Sequence, residues 1–439
     1  KKQSRSDRES NPRPSDSKSE TLLPEPLHFS KRQWISIFKH FSKFIINVES
    51  ILLKFVLYQF TGSFCGSLSS VKASDLGSVV IKESLSRAKL GPNDVSEVIV
   101  GQTLTTAQGQ NPARQAAMKA GLPLSVPAYM INMLCGSGLK AVANGYHSIK
   151  AGDTEVVVAV GQESMSLAPH AIHLRNGVLM GEAGMIDTML HDGLTDVFFN
   201  IHMGITAENV AKKFNIGREE QDKYAVQSQQ RTEAAIAAGY FDDEIVSVEV
   251  PTKKEPIVIS HDEFPKPGTT VEGLSKLRPV FIKKEGTVTS GNASGINDGA
   301  AAVVLMSSEA AAAKGIPSLA KIVAIAQTGM EPELMGMGPV SAVEAVLRKA
   351  NWTKDEVDLY ELNEAFAAQS IACVRELGLD TNKVNINGGA IALGHPIGAS
   401  GTRVLVTLLH ALRRINGKKG IASLCIGGGM GIAIAVERQ

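Results

Sequence analysis

Two cysteines, a histidine and an asparagine stand in surroundings where a side chain can reach a substrate. Cys135 is followed by Gly-Ser-Gly, His395 lies between a glycine and a proline, and Cys425 precedes three glycines. Asn363 directly follows an apolar run. Thiolates are nucleophiles, and imidazole takes up and releases protons near neutral pH. These residue types indicate nucleophilic catalysis combined with proton transfer.

Cys135 opens an apolar helix pattern directly after a turn of small residues. The N-terminus of a helix is positive and lowers the pKa of a thiol from its usual value of about 8.5. Gly136 and Gly138 leave the sulfur unshielded and allow backbone N–H groups to turn towards a ligand. We therefore predict a thiolate nucleophile at Cys135, and the alternative is an inert core cysteine.

The other three residues have structural alternatives too. His395 lies among glycines that offer little bulk to bury an imidazole, although a histidine can also satisfy a turn. Cys425 ends an apolar strand and faces a bare glycine loop, although strand cysteines are usually core residues. Asn363 is placed to cap the following helix, and capping is compatible with a second role.

The elements that must position these residues repeat one plan twice. Residues 84–101 and 346–363 each read as a helix tail, a turn, a helix-capping residue and an apolar strand. Each is followed by a small-residue turn that opens an apolar helix, at Cys135 in the first half and at His395 in the second. The repetition predicts that Cys135 and His395 occupy equivalent places in two similar halves.

The alternation of strands and helices predicts an α/β fold with duplicated β/α halves and parallel-rich sheets covered by helices. A polar segment rich in glycine and proline between the halves predicts an inserted loop domain, or lid. We expect an N-terminal extension of residues 1–50, a first half of residues 51–165 completed by about residues 291–316, a loop domain of residues 166–290 and a second half of residues 317–439.

The composition excludes several classes of protein. The 439 residues include 41 glycines and are 44% hydrophobic and 5% aromatic, as in an α/β enzyme rather than a fibrous or disordered protein. The 45 basic residues balance 44 acidic ones, so no global field favours nucleic acid or an anionic membrane. The four cysteines lack a C-x-x-C pair, which argues against a zinc site or disulfide scaffold and favours a reducing compartment.

The sequence before Thr61 gives conflicting signals. Residues 1–20 are half charged and are predicted to be disordered. Apolar residues recur at steps of three and four from Trp34 to Phe55, which predicts a basic amphipathic helix whose charges exclude a membrane span. Acidic residues argue against a transit peptide. Residues 55–58 also form a short apolar run, and we predict that residues 54–59 take a strand position in the first sheet.

Four motifs around the reactive residues occur in order along the chain. They are CGSG at 135–138, NEAFA at 363–367, GHPIGASG at 394–401 and CIGGGMG at 425–431, and GQNPARQ at 109–115, HMG at 202–204 and GNASG at 291–295 accompany them. From Thr61 to the C-terminus the chain thereby resembles the thiolase family, in its biosynthetic branch that forms acetoacetyl-CoA. Before Thr61 it departs from the family, because the usual arginine of the first turn is absent.

The resemblance implies a role for each reactive residue. Cys135 would attack the thioester of one acyl-CoA and hold the acyl group, with His395 activating it. Cys425 would take the α-proton of acetyl-CoA, and His395 with a water positioned by Asn363 would hold the enolate oxygen. A second oxyanion site would use the backbone N–H groups of Cys135 and Gly427. No metal or redox cofactor is implied, and coenzyme A serves as the carrier of the acyl group.

The resemblance also implies a channel for the pantetheine arm of coenzyme A. Its lining residues would be His202, Met203, Phe281, Ser294, Met335 and Phe366. Lys266 stands where the family commonly carries an arginine near the nucleotide phosphates, which keeps the charge but loses the bidentate geometry. For Phe281 and Met335, ordinary core packing is the alternative.

The implied reaction is the reversible condensation of two acetyl-CoA to acetoacetyl-CoA and CoA through an acetyl-cysteine. The alternatives are a broad-chain 3-ketoacyl-CoA thiolase, and an inactive isoform if the atypical N-terminus prevents folding. The resemblance further implies a cytoplasmic homotetramer of lipid metabolism, in the mevalonate pathway. Nucleic acid is not an expected partner, and the sequence carries no firm sign of a membrane partner.

Other cysteine proteins fit this pattern less well. A ketoacyl synthase has a related layout but uses two histidines, so Cys425 argues against it. A papain-like protease carries its residues in the order Cys, His, Asn, whereas Asn363 precedes His395 here. A non-catalytic paralogue is expected to lose one of the four reacting residues, and all four are present.

Overall fold

Runs of valine, isoleucine and alanine form the strands, because small and β-branched apolar side chains fit a sheet that is covered on both faces. The computed structural model describes residues 51–59 and 61–439. The predicted disordered segment of residues 1–20 and the predicted basic helix from Trp34 up to residue 50 lie outside the described residues. The end of that helix prediction, residues 51–55, is wrong, because these residues are part of a strand that begins at Ile51. The described strands are β1 (Ile51–Gln59), β2 (Gly62–Ser63), β3 (Glu97–Gly101), β4 (Ala128–Ile131), β5 (Val156–Ser164), β6 (His170–Ala171), β7 (Ile186–Asp187), β8 (Thr195–Asp196), β9 (Ile201–His202), β10 (Ile245–Val246), β11 (Val248–Val250), β12 (Ile257–Ile259), β13 (Asn297–Ser307), β14 (Ala320–Gly329), β15 (Leu359–Leu362), β16 (Lys419–Ile426) and β17 (Met430–Arg438).

The helices alternate with these strands, and several end at a residue in the left-handed conformation, as at Gly152, Asn351 and Gly378. The described α-helices are α1 (Ala73–Ala88), α2 (Pro112–Lys119), α3 (Ser137–Ala151), α4 (Met203–Lys213), α5 (Arg218–Ala237), α6 (Val271–Ser275), α7 (Ser308–Ala313), α8 (Gly338–Ala350), α9 (Ala367–Leu377), α10 (Ala390–Leu393) and α11 (Ile397–Arg414). Short 3₁₀ turns cover Pro92–Asp94, Leu134–Gly136, Pro332–Met337, Lys354–Glu356 and Thr381–Lys383, and a π-helical turn covers Met189–Leu194.

The main sheet has the order β15-β16-β17-β14-β1-β13-β5-β3-β4. The two sides of this sheet match when the strands are counted outwards from the β14–β1 junction. On each side, the strands near the junction pair antiparallel and the strands near the edge pair parallel. A parallel bridge between Tyr360 and Val384 takes the place that β4 has on the other side. The predicted α/β fold with two similar halves is confirmed, with parallel pairs at the outside and antiparallel pairs at the centre.

Strand β1 lies at the junction of the two halves. It pairs antiparallel with β13, from Ile51 opposite Ser307 onwards, and antiparallel with β14 at Leu52 opposite Lys321. The side chains of Ile51 and Leu53 are completely buried. The prediction that residues 54–59 take a strand position is therefore confirmed, and the strand begins earlier than predicted.

Helices α3 and α11 occupy equivalent places in the two halves and cross in the middle of the molecule. A Cβ atom added to Gly138 would lie 2.7 Å from the backbone nitrogen of Thr402, and one added to Gly401 would lie 2.3 Å from the backbone nitrogen of Leu139. Real Cβ atoms do not approach so closely, so both positions need glycine. The crossing brings together the N-terminal turns of the helices that follow Cys135 and His395.

Residues 166–290 contain more regular structure than the predicted loop domain implies. The hairpins β6–β7, β8–β9 and β11–β12 lie in this range, together with the helices α4, α5 and α6. The domain boundaries given above stay predictions. Within residues 51–59 and 61–439, no helix is long and apolar enough to span a bilayer.

Candidate active site

The Cys135 side chain is carried by a tight turn between β4 and α3. Leu134 has a positive φ of 47°, which is unusual for a branched residue. The Ser137 hydroxyl accepts a hydrogen bond from the backbone N–H of Met133 at 2.8 Å and donates one to the carbonyl of Leu134 at 2.6 Å. A Cβ atom on Gly136 would lie 2.5 Å from the side chain of Ile426, so the turn packs directly on the end of β16.

The resting form of Cys135 differs from the sequence prediction. Burial raises the pKa of the thiol to about 11, although the backbone N–H groups of Gly427 and of Cys135 itself act to lower it. Desolvation therefore outweighs the helix N-terminus, and the predicted resting thiolate is wrong. A thiol must transfer its proton when it attacks, so Cys135 would need a base to act as the predicted nucleophile.

His395 is held at three points and is 7% exposed. Its backbone N–H donates to Asn297 Oδ1 at 3.0 Å. The Ser400 hydroxyl donates to the Pro396 carbonyl at 2.9 Å and so accepts from His395 Nδ1–H at 2.5 Å. This arrangement fixes the hydrogen on Nδ1 and leaves Nε2 as an acceptor, 3.5 Å from Nδ2 of Asn363.

The His395 imidazole is neutral over the physiological range. Burial and, to a smaller extent, the positive charge of Arg403 together lower its pKa to about 3. The neutral ring can take up a proton at Nε2. The site thus offers the base that the Cys135 thiol needs.

Asn363 leaves β15 beside His395. Its backbone N–H donates to the carbonyl of Ser423 at 3.0 Å, which fixes its position at the end of the strand. Its Oδ1 atom is buried and has no hydrogen-bond partner among the described residues. A buried acceptor of this kind is well suited to hold a water molecule.

Cys425 lies near the end of β16 and is completely buried. Burial raises its pKa well above the usual range, and the neighbouring thiols of Cys135 and Cys373 raise it further. Its side chain belongs to an apolar cluster with Met203, Ala207, Val288, Met335, Ala365 and Phe366. The second thiol of the site is therefore also protonated at rest.

The glycine turn after Cys425 lies against the Cys135 turn. A Cβ atom on Gly427 would lie 3.0 Å from the side chain of Leu134 and 3.5 Å from the sulfur of Met203. Gly428 and Gly429 have φ values of 76° and 80°, which glycine adopts without strain. The turn thereby directs the Gly427 N–H towards the sulfur of Cys135.

Most of the predicted pantetheine-channel residues lie around Cys425. Met203, Met335 and Phe366 share its apolar cluster, and Phe281 packs against that cluster. The His202 ring stacks on the Phe281 ring with centroids 4.7 Å apart. The structure therefore brings these five residues together at one side of the second thiol.

Ser294 and Lys266 lie at the edge of this group. The backbone N–H of Ser294 donates to the Ala365 carbonyl at 3.0 Å, next to Phe366. The Lys266 Nζ lies 5.4 Å from the centroid of the Phe264 ring, and that ring packs on Gly295. Lys266 is thus connected to the channel through Phe264 and does not join the apolar cluster.

The sequence prediction missed three residues that fix the site. Ser400 and Asn297 hold His395, and Glu163 holds the start of α11. The buried Glu163 carboxylate accepts hydrogen bonds from the backbone N–H groups of Thr103, Leu104 and Gly398 at 3.0, 3.1 and 2.8 Å. Burial raises its pKa to about 7. Its only signal in the sequence is an acidic residue at the end of an apolar strand.

The described residues do not form a metal-binding group. In the part of the chain that is described, no group of three or more His, Cys, Asp or Glu side chains is arranged to hold a metal ion. All four cysteines are free thiols.

The chain is similar to known proteins in sequence and in structure. Two family models match, "Thiolase, N-terminal domain" over residues 57–309 and "Thiolase, C-terminal domain" over residues 316–438. The chain is 59% identical over 379 residues to acetyl-CoA acetyltransferase of Chromobacterium violaceum, covering 86% of this chain and 96% of that one. It is 57% identical over 378 residues to the cytosolic acetyl-CoA acetyltransferase of Rattus norvegicus, covering 86% and 95%.

Solved structures match as well. The crystal structure of the Bacillus anthracis acetyl-CoA acetyltransferase matches with a TM-score of 0.87 at 42% sequence identity. The match covers 89% of this chain and 99% of the Bacillus anthracis chain. The crystal structure of human mitochondrial 3-ketoacyl-CoA thiolase has a TM-score of 0.86 at 44% identity, with the same coverage.

Proposed function

The chain belongs to the thiolase family, and from this premise we propose that it condenses two acetyl-CoA to acetoacetyl-CoA and CoA, reversibly, as an acetyl-CoA C-acetyltransferase. One observation carries the proposal. The thiols of Cys135 and Cys425 lie close enough to interact electrostatically, the Gly427 N–H points at the sulfur of Cys135, and a neutral imidazole fixed by Ser400 is available as the base. The names of relatives that are 57–59% identical support the same reaction.

In the first step, Cys135 Sγ attacks the thioester carbonyl as His395 Nε2 takes the thiol proton. The N–H groups of Cys135 and Gly427 stabilise the oxyanion. The C–S bond to CoA then breaks, and the CoA thiolate takes the proton of Cys425 and leaves as free CoA. The products are acetyl-Cys135, an imidazolium at His395 and a thiolate at Cys425.

In the second step, the Cys425 thiolate removes an α-proton from a second acetyl-CoA. The imidazolium of His395 and a water on Asn363 Oδ1 stabilise the enolate oxygen. The enolate carbon attacks the acetyl carbonyl, the C–S bond to Cys135 breaks, and His395 returns its proton to that sulfur. Acetoacetyl-CoA leaves, and each group is again in its resting form.

A thiolysis assay with free CoA tests the proposed substrate. The rate on acetoacetyl-CoA is expected to exceed that on a long-chain 3-ketoacyl-CoA by at least about 10-fold, because a site fitted to the short substrate excludes the longer chain. Comparable rates would favour the broad-chain alternative. The 44% identity to a 3-ketoacyl-CoA thiolase supports that alternative less well than the 57–59% identity to acetyl-CoA acetyltransferases supports the short substrate. No turnover of either substrate would favour an inactive isoform.

We further propose a cytoplasmic homo-oligomer, a tetramer by family resemblance. The rat and mouse relatives named as cytosolic support the location. Large apolar side chains exposed between β6 and β7 support self-association: Leu174, Val178, Leu179, Met180 and Met185. Light scattering on the purified chain should give four times the monomer mass, and a monomer would contradict the proposal. A place in the mevalonate pathway stays a prediction.

A further inference from the structure

A buried amide side chain joins the N-terminal part of the chain to the loop of His395. Asn297 is the first residue of β13 and is completely buried. Its Nδ2 atom donates a hydrogen bond to the carbonyl of Gly62 at 3.0 Å, and its Oδ1 atom accepts one from the backbone N–H of His395 at 3.0 Å. One side chain thus bridges two segments that are distant in the sequence.

An amide fits both partners of this bridge. A carbonyl needs a donor and an N–H group needs an acceptor, and an amide side chain offers one of each, whereas a carboxylate only accepts. The backbone of Gly394, which has a φ of 93°, lies directly against the amide, because a Cβ atom added there would be 2.5 Å from Cγ of Asn297. The backbone position of His395 therefore follows that of Asn297.

Residues 61–67, here called the N-terminal turn, form the other end of the bridge. The short strand β2 lies within this turn and pairs antiparallel with the start of β13, with Ser63 opposite Asn297. The Gly62 carbonyl that receives the Asn297 bond belongs to the same short strand. The N-terminal turn is thereby in register with the strand that carries the amide.

The N-terminal turn is held on its outer side by Glu263. The Glu263 carboxylate accepts hydrogen bonds from the backbone N–H groups of Ser63 and Ser67 at 2.9 and 3.2 Å, and from the Ser67 hydroxyl at 3.0 Å. The backbone N–H of Glu263 donates to the carbonyl of Thr61 at 3.2 Å. Because the Glu263 side chain is exposed, it can be replaced without opening the core.

A second set of hydrogen bonds leads from the N-terminal turn to β13 but does not include the histidine. The backbone N–H of Cys65 donates to the Ser166 hydroxyl at 2.8 Å, and the backbone N–H of Ser166 donates to Asp298 Oδ1 at 2.9 Å. Among the described residues, the hydrogen bonds that run from the turn to His395 therefore pass through Asn297.

We propose that Asn297 is a positioning residue that holds His395 to the N-terminal turn, so that this turn helps to set the rate at which the imidazole takes the Cys135 proton. Ser400 fixes the orientation of the ring, and Asn297 fixes where the backbone that carries the ring lies. A displacement of about 1 Å at a reacting group can lower a rate by about 100-fold. The inference rests on the proposed function, because it concerns the base of its first step.

A double-mutant cycle tests this connection. The single-turnover rate of Cys135 acetylation at saturating acetyl-CoA is measured by rapid quenching and intact-protein mass spectrometry for the wild type, Asn297→Ala, Glu263→Ala and the double variant. Asn297→Ala should lower the rate by about 10-fold or more. Glu263→Ala should lower it by about threefold or more in the wild-type background and hardly at all in the Asn297→Ala background, because the bonds through which it acts are then missing.

Glu356→Ala is the matched control for Glu263→Ala. Glu356 is also an exposed glutamate that holds a turn, since it accepts hydrogen bonds from the backbone N–H and the hydroxyl of Thr353 at 2.7 and 3.0 Å, but it lies in the second half. Its removal should leave the acetylation rate unchanged. Thermal unfolding shows whether each variant is folded at the assay temperature. Should Asn297→Ala fail to fold, Asn297→Ser is measured in its place with the same expectation, because a serine hydroxyl is too short to reach both partners.

The cycle separates a positioning role from a packing role. Fall factors that simply multiply in the double variant would overturn the inference, because Asn297 and the N-terminal turn would then act independently. A wild-type acetylation rate in folded Asn297→Ala or in Glu263→Ala would overturn it too, as would an equal fall in Glu356→Ala. A wild-type chain that forms no acetyl adduct would count against the proposed function, whereas a wild-type adduct with multiplying factors counts against this inference alone.

Discussion

The two thiols that we propose to react are held in different surroundings. Cys135 is partly exposed, and a backbone N–H of the Gly427 turn points at its sulfur. Cys425 is completely buried among the apolar side chains of the proposed pantetheine channel. The partly exposed thiol is suited to attack a thioester whose oxyanion the neighbouring backbone N–H groups stabilise, and the buried one is suited to act on a substrate already in the channel.

This difference predicts the behaviour of Cys425→Ser. The variant should still acquire an acetyl group at Cys135, since the nucleophile, its base and its oxyanion site are unchanged and the departing CoA thiolate can take its proton from water instead of from Cys425. Condensation should fall by about 100-fold or more, because a hydroxyl is a much weaker base than a thiolate. Intact-protein mass spectrometry measures the first step, and a coupled acetoacetyl-CoA assay measures the second. If both rates fall by the same factor, the separate roles are wrong.

At the scale of elements, the crossing of α3 and α11 sets the distance between the Cys135 turn and the His395 loop. Gly401→Ala would place a Cβ atom 2.3 Å from the backbone nitrogen of Leu139, where neither helix can yield. We expect a loss of about 1–3 kcal/mol in the free energy of unfolding, together with reduced activity. Denaturant unfolding measures the change.

The control for this prediction is Gly184→Ala. A Cβ atom there meets nothing within 4 Å, and the residue has no positive φ. This variant should keep wild-type stability and activity. If Gly401→Ala is as stable as Gly184→Ala, the helices can separate, and the crossing does not fix the site.

The repeated plan predicted which elements carry Cys135 and His395, because helix and strand patterns are local. It did not predict what holds the two residues in place. The bond from His395 to Asn297 spans 98 positions, and the bond from Gly398 to Glu163 spans 235. Such contacts depend on tertiary packing, which leaves no local pattern. The prediction of a resting thiolate at Cys135 was wrong for the same reason, since the burial that raises the pKa of its thiol comes from other segments.

At the scale of the whole molecule, the atypical N-terminal segment supplies the strand that joins the two halves. β1 pairs with β13 on one side and with β14 on the other. Residues 54–59 were predicted as a strand because an unfilled position would leave backbone groups unpaired, at about 1–3 kcal/mol each. In the structure, loss of β1 would leave unpaired backbone groups on both β13 and β14, and thus in both halves.

Two truncations test this role. Removal of residues 1–50 should leave a soluble, active enzyme, because β1 begins at Ile51. Removal of residues 1–60 deletes the joining strand and should give aggregated or inactive protein. Solubility, thermal unfolding and thiolysis activity are compared for the two chains. Equal behaviour would show that the strand is dispensable, and loss of activity in the shorter deletion alone would assign a role to residues 1–50.

The central claim is that Cys135 carries the acetyl group between the two half-reactions. Intact-protein mass spectrometry after incubation with acetyl-CoA should show one acetyl group on the wild-type chain, and peptide mapping should place it on Cys135. Cys135→Ala should carry none and should be inactive in both directions, while Cys65→Ala, which removes an exposed free thiol, should be acetylated as the wild type is. An acetyl adduct that persists in Cys135→Ala would contradict the account.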